Sequence, residues 1–299
     1  MQLCRFHSPI HGARLGLLVD ETVHDVTASG QPHMATLAAL LQASTTTPLP
    51  TLLQDIPLDQ LATYRYADLD REPAGDVAHL LPPVDRQEVW AAGVTYAWSR
   101  EARVREAVTK DIYVRVYEAE RPELFFKSIG SKAVGPHNWI GLRGDSKWNV
   151  PEPELVLVLN PGMQIVGYTI GNDVSSRDIE GENPLYLPQA KVYRHACAVG
   201  PVITIADTAF NAHNLPIKLG IVRDGATVFE AETSTAQLNR PLPELAAFLG
   251  RYDDFADGVL LFTGTGIVPP DDFTLHHGDQ VTITIAGIGA LRNTARLME

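Results

Sequence analysis

From Val84 onward the chain breaks into apolar runs of strand length, punctuated by Gly, Pro, Asn and Asp. Leu155–Leu159, Ile165–Ile170, Val202–Ile205, Ile217–Val222, Val259–Phe262 and Val281–Ile285 are such runs, and one helical pattern, Arg100 to Val108, interrupts them. Short strands bury themselves only against one another, so a compact multi-strand β body is expected, with no βαβ rhythm and no internal repeat. Before Val84 the pattern differs. Leu3–Phe6, Arg14–Val19 and Thr22–Val26 read as a small β meander; Ala35–Leu41 and Leu52–Leu61 carry helix-like spacing, with Pro48, Pro50 and Pro57 punctuating the stretch. The expected organisation is strand-rich α+β, with a small N-terminal α+β domain over residues 1–75 and a main domain over residues 76–299.

A net charge of -12, with no compact basic run, disfavours contact with phosphate backbones or anionic lipid, so neither nucleic acid nor a membrane is an expected partner. Cys4 and Cys197 are too few for a disulfide framework and sit in no zinc-like spacing. The first residues lack the apolar core of a signal peptide, and no apolar run approaches a membrane span, so a cytoplasmic location is expected.

The chemistry concentrates in Pro151-Glu152-Pro153-Glu154, which leads into the Leu155–Leu159 run. Residues two apart on a strand share a face, so the two carboxylates point the same way; the flanking prolines, which donate no ladder hydrogen bond, place this end at an edge or approach. Asn160-Pro161-Gly162-Met163 is a turn signal, and Ile165–Ile170 continues to Gly171-Asn172-Asp173. A hairpin with a two- or four-residue loop sets Glu152 opposite Gly171 and Glu154 opposite Thr169, with Asp173 diagonal to Glu152 on the same face. A three- or five-residue loop would turn Asp173 to the other face. Three convergent carboxylates repel unless a cation lies among them, and all-oxygen donors favour Mg²⁺, Mn²⁺ or Ca²⁺ over zinc. His276-His277 reads as a turn rather than a metal pair, and Gly264-Thr-Gly266 lacks the third glycine of a dinucleotide fingerprint.

Glu152 to Leu155 matches an E-x-E-L pattern, and Gly167 to Asp178 matches G-Y-T-x-x-N-D-x-S-x-R-D. On these motifs, with Leu124-Phe-Phe-Lys127, Gly135-Pro136, Lys191, Gly200-Pro201, Thr263-Gly-Thr-Gly266, Gly278-Asp279 and Gly287-Ile-Gly289, the chain resembles the fumarylacetoacetate hydrolase superfamily over roughly residues 90–293. The resemblance implies a mixed β-roll or sandwich for the catalytic domain, Mg²⁺ or Mn²⁺ bound by Glu152, Glu154 and Asp173, an oxo-acid substrate held with help from Lys191 and Thr265, and a homodimer or homotetramer. The family's hydrolases carry a His in the segment that here reads Gly93-Val-Thr-Tyr-Ala-Trp-Ser99, so Ser99 replaces a water-activating base. Serine alone is no general base near neutral pH.

Tyr96-x-x-Ser-Arg-Glu-Ala-Arg103, Glu120 to Lys127, Trp148 to Glu154 and Asp178 to Lys191 resemble the 2-keto-3-deoxypentonate dehydratase branch of that superfamily. The implied reaction converts 2-keto-3-deoxy-D-pentonate, derived from D-arabinonate or D-xylonate, to 2,5-dioxopentanoate in pentose catabolism. It needs no external water nucleophile, but it does need a base at C3 and an acid at the departing C4 hydroxyl. Lys191 and Glu123 are the candidates for these steps, and Ser99, Arg100, Lys127 and Thr265 the candidates for holding hydroxyl and carboxylate groups. An acylpyruvate- or fumarylpyruvate-type hydrolase and an oxaloacetate decarboxylase are the alternatives on the same metal scaffold. A catalytically silent binding protein is the alternative of another class.

Overall fold

Strands form where the short apolar runs lie. Along the chain they are β1 (Gln2–Ser8), β2 (Gly12–Val19), β3 (Thr22–Asp25), β4 (Thr63–Arg65), β5 (His79–Leu81), β6 (Glu88–Gly93), β7 (Glu123–Ile129), β8 (Trp139–Arg143) and β9 (Asn149–Val150). Then follow β10 (Pro153–Leu159), β11 (Ile165–Asp173), β12 (Ser175–Ser176), β13 (Cys197–Ile205), β14 (Pro216–Arg223), β15 (Ala226–Ser234), β16 (Val259–Phe262), β17 (Gln280–Ile285) and β18 (Gly289–Met298). Helices are short: α1 (Leu37–Ala43), α2 (Leu49–Gln54), α3 (Tyr66–Leu69), α4 (Arg177–Glu182), α5 (Leu187–Lys191) and α6 (Leu242–Leu249). This computed structural model describes residues 1–96, 115–207 and 210–299, so the helix expected at Arg100–Val108 lies outside the described residues.

The main sheet runs β4-β3-β2-β1-β13-β11-β10-β16-β6-β7, with β5 paired to β1; a second runs β15-β14-β17-β18-β8. Pairing is antiparallel except between β16 and β6 and between β18 and β8. The N-terminal meander is joined to the main sheet through β1, which hydrogen-bonds to β13.

Every position of β10 is buried because both faces are covered. Leu155, Leu157 and Leu159 share a cluster with Ile217, Leu219 and Ile283 of the second sheet, while Val156 and Val158 share another with Leu37, Leu40 and Leu41 of α1 and Leu49 and Leu53 of α2. Burial of each such side chain contributes about 1.5–3 kcal/mol, so this central strand is held rigidly by both layers. The second helix begins and ends earlier than the Leu52–Leu61 spacing suggested. Pro48 and Pro50 sit at its N-terminal end, where a missing N–H costs nothing, and the helix ends at Gln54, ahead of Pro57. No helix among the described residues is long and apolar enough to cross a membrane.

Gly171 of β11 lies opposite Glu154, where the Phe262 ring of β16 and the Val156 side chain fill the space. A Cβ there would fall 2.2 Å from the Phe262 ring and 2.6 Å from a Val156 methyl. Gly171→Ala is therefore expected to lower stability by about 1–3 kcal/mol, read as a shift in the urea midpoint at unchanged slope.

Candidate metal centre

Pro151 and Pro153 leave the entry to β10 with few donors, and the neighbouring strand makes up the loss. Asp173 N–H donates to the Glu152 carbonyl at 3.0 Å, and Glu152 N–H donates to Asn172 Oδ1 at 3.1 Å. Glu154 pairs with Gly171 and Val156 with Thr169, so Asp173 stands directly across from Glu152, two residues away from the diagonal register expected from the sequence. The loop is also odd: Asn160 to Gln164, five residues, closed by reciprocal bonds between the Asn160 and Gln164 backbones and side chains. An odd loop alone would have sent Asp173 to the other face. It does not, because Leu159 pairs with Ile165 and Val158 with Gly167, which leaves Val166 as a bulge residue that restores the parity.

Glu152, Glu154 and Asp173 consequently converge, 3%, 1% and 1% exposed, and offer ligand oxygens within 4.8 Å of one another. Charge compensation comes first from the protein. Lys191 Nζ donates to Glu152 Oε2 at 2.6 Å, Asp173 Oδ2 at 3.0 Å and Ser175 Oγ at 2.7 Å. Lys127 Nζ pairs with Asp173 Oδ1 at 2.5 Å and donates to the Val174 and Lys191 carbonyls. Arg177 Nη2 donates to Glu152 Oε1 at 2.8 Å. These cations, which lie far from the triad in sequence, weaken the like-charge repulsion at Glu152 and Asp173.

Glu154 is different. Its Oε2 accepts from Gly264 N–H at 2.6 Å. Gly264 has φ +90°, and a Cβ would lie 2.0 Å from Thr95 Oγ1, so only glycine presents its N–H here. Burial, then the charges of Asp173 and Glu152, push the Glu154 carboxyl well above the ordinary carboxylate range, with Lys191 and the Gly264 N–H offsetting only part. The Cys197 thiol, across the ladder from Asp173, is pushed up to about 12 by burial, so it stays protonated and offers no thiolate. The donor set is thus three buried carboxylates, one of them held against its charge, which suits a hard divalent cation such as Mg²⁺.

A small cleft opens on the triad, lined also by Glu123, Glu180, Lys191 and Thr265. Of the sequence candidates, Glu123, Lys191 and Thr265 therefore meet the three carboxylates in one place. Lys127 reaches Asp173 as an ion pair and donates to two backbone carbonyls, those of Val174 and Lys191. Ser99 and Arg100 lie outside the described residues. His276 and His277 are exposed beside a turn that Asp279 closes by accepting from His276 N–H. Arg177, Ser175, Glu180 and the Gly264 N–H were not singled out from sequence. The first three lie in the Asn172-to-Glu180 run, but β12 gives way to α4 within it, and neither strand nor helix spacing alone points all three at the triad.

A model of the fumarylacetoacetate hydrolase C-terminal family matches residues 88–296, and the chain belongs to that family. It is 43% identical over 282 residues, 94% of each chain, to a probable 2-keto-3-deoxyxylonate dehydratase of Haloferax volcanii. Over 213 residues, 70% of this chain and 72% of the relative, it is 46% identical to the 2-dehydro-3-deoxy-D-arabinonate dehydratase of Saccharolobus solfataricus. Among solved structures, 2-keto-3-deoxy-D-arabinonate dehydratase complexed with magnesium and 2,5-dioxopentanoate matches with a TM-score of 0.82 at 35% identity, covering 100% of both chains. The strand-rich α+β fold implied by the motifs is the fold observed.

Two outcomes follow from the electrostatics. A carboxyl whose folded-state pKa is raised stabilises the fold below its ordinary value of 4.5, and that contribution is lost as pH rises through the folded pKa. The melting temperature of metal-free protein should therefore fall relative to Mg²⁺-loaded protein as pH rises from about 5 to 8, and Glu154→Gln should flatten that widening gap. Lys127→Met leaves a buried Asp173 charge short of a partner and should cost about 3–5 kcal/mol in chemical denaturation of the metal-free protein.

Proposed function

We propose that this protein is a Mg²⁺-dependent hydro-lyase that converts 2-keto-3-deoxy-D-pentonate to 2,5-dioxopentanoate. The observation that carries the reading is the buried triad opening on a cleft that also holds Glu123, Lys191 and Thr265. Its support is the end-to-end likeness to a dehydratase whose structure contains magnesium and 2,5-dioxopentanoate. Glu152, Glu154 and Asp173 would hold the ion, with Mn²⁺ or Ca²⁺ as chemically similar occupants. Bound there, it supplies a Lewis acid for the keto and carboxylate oxygens of a 2-oxo acid.

The chain's own residues then divide the work. Lys191, as an ammonium with its N–H groups given to Glu152, Asp173 and Ser175, keeps two carboxylates in place and lends positive charge to the cleft wall. Lys127 and Arg177 fix the same carboxylates from their other oxygens. Thr265 is a polar contact for substrate oxygens; Ser99 and Arg100 are the proposed contacts for hydroxyls and carboxylate. Glu123 is the base at C3, where the keto group acidifies the proton. Its neighbours Glu118 and Glu120 are exposed. Removal of the C3 proton and loss of the C4 hydroxyl eliminate water; a proton shift from C5 and ketonisation then leave an aldehyde at C5. Atoms balance as substrate to product plus water, and no external nucleophile is consumed.

A homodimer or homotetramer is the proposed assembly, in a reducing compartment such as the cytoplasm, which the two buried free cysteines suit. Purified protein with Mg²⁺ and 2-keto-3-deoxy-D-arabinonate or D-xylonate should yield 2,5-dioxopentanoate, and chelation with EDTA or Asp173→Ala should lower turnover by at least about 100-fold. Cleavage of an acylpyruvate or decarboxylation of oxaloacetate, without dehydration, would replace this reading with a hydrolase or a decarboxylase.

A further inference from the structure

We infer that Glu180 is the second proton-transfer residue of the cleft, acting at the C4 hydroxyl while Glu123 acts at C3; the inference rests on the dehydratase reading. The reaction makes two proton transfers at adjacent carbons. On the dehydratase reading the three triad carboxylates hold the metal, and Lys191 Nζ is engaged by Glu152, Asp173 and Ser175. Among the described residues lining the cleft, the carboxyl groups that remain are Glu123 and Glu180.

They come from different elements. Glu123 opens β7, whereas Glu180 lies in α4 three residues after Arg177, which puts both α4 side chains on one helix face toward the triad. That helix is fixed in place. The Asp178 carboxylate accepts from Ser146 Oγ at 2.6 Å and from Lys147 N–H at 2.7 Å, and Arg177 bonds Glu152. Glu180 is 4% exposed, so its position is set by packing rather than by solvent. It lines the cleft together with Glu123, where a carboxyl group can meet a hydroxyl on the carbon next to the one that loses its proton.

In the step assigned to it, the C3–H bond breaks and its proton passes to Glu123. The C3–H electron pair forms the C3=C4 double bond as the C4–O bond breaks with its own pair, and the departing oxygen takes the Glu180 proton and leaves as water. The two side chains then exchange their proton through solvent, so nothing else is consumed.

The partial reactions separate the two roles. In D₂O, Mg²⁺-loaded enzyme should exchange the C3 protons of 2-oxobutanoate, which has no C4 hydroxyl, and NMR follows the signal loss. Glu180→Gln should retain this exchange while dehydrating 2-keto-3-deoxy-D-arabinonate at least about 100-fold more slowly. Glu123→Gln should lose both, and an unchanged Mg²⁺-induced rise in melting temperature should show that each variant folds and binds metal. Dehydration by Glu180→Gln at the wild-type rate, or loss of exchange together with dehydration, overturns the assignment. Wild-type enzyme that exchanges C3 protons but forms no 2,5-dioxopentanoate overturns the dehydratase reading itself.

Discussion

The backbone bond from Asp173 N–H to the Glu152 carbonyl, 3.0 Å long, sets the register on which the site depends. A slip of one residue between β10 and β11 would move every side chain of one strand to the opposite face and separate Asp173 from both glutamates. The pairing is held from both ends. At the turn, Asn160 bonds Gln164 and also donates to Ser44 next to α1, while the bulge at Val166 absorbs the odd residue of the loop. At the far end, Asn172 and Asp173 bind the Glu152 backbone between two prolines. Between these ends, two hydrophobic layers bury β10 on both faces.

Register alone would bring together three charges that repel, so the surrounding cations are equally necessary. Lys127, Lys191 and Arg177 each reach the triad from a different element, β7, α5 and α4, and all three are almost fully buried. Buried pairs of this kind give positional specificity more than net stability, because desolvation opposes the Coulombic gain. They place cations against Glu152 and Asp173, whereas the Glu154 charge rests on a backbone N–H and remains costly. A divalent cation would relieve that cost, which ties occupancy of the centre to proton release and to stability.

Much of this was legible in the order of residues. The Leu155–Leu159 run, the Pro-Glu-Pro-Glu entry and the Gly171-Asn172-Asp173 exit state a strand pair with three acids on one face, and the conclusion survived because a two-residue error in register preserves parity. The bulge was not legible, since nothing in Gln164-Ile165-Val166 distinguishes a bulged valine from a paired one. Lys127 was recognisable as part of a motif, but its partner Asp173 lies 46 positions along the chain and only packing joins them. Glu180 was harder still, because its neighbours Glu182 and Asp178 are also acidic and the turn from β12 into α4 decides which of them faces inward.

The sequence by itself determined the strand-rich class, the family and the identity of the three acids, because side-chain alternation and turn chemistry are local properties of a strand. Tertiary structure alone decided what stands against those acids. The compensating ammonium and guanidinium groups arrive from remote elements, and the energy of a buried carboxylate depends on what is packed around it rather than on its neighbours in the chain.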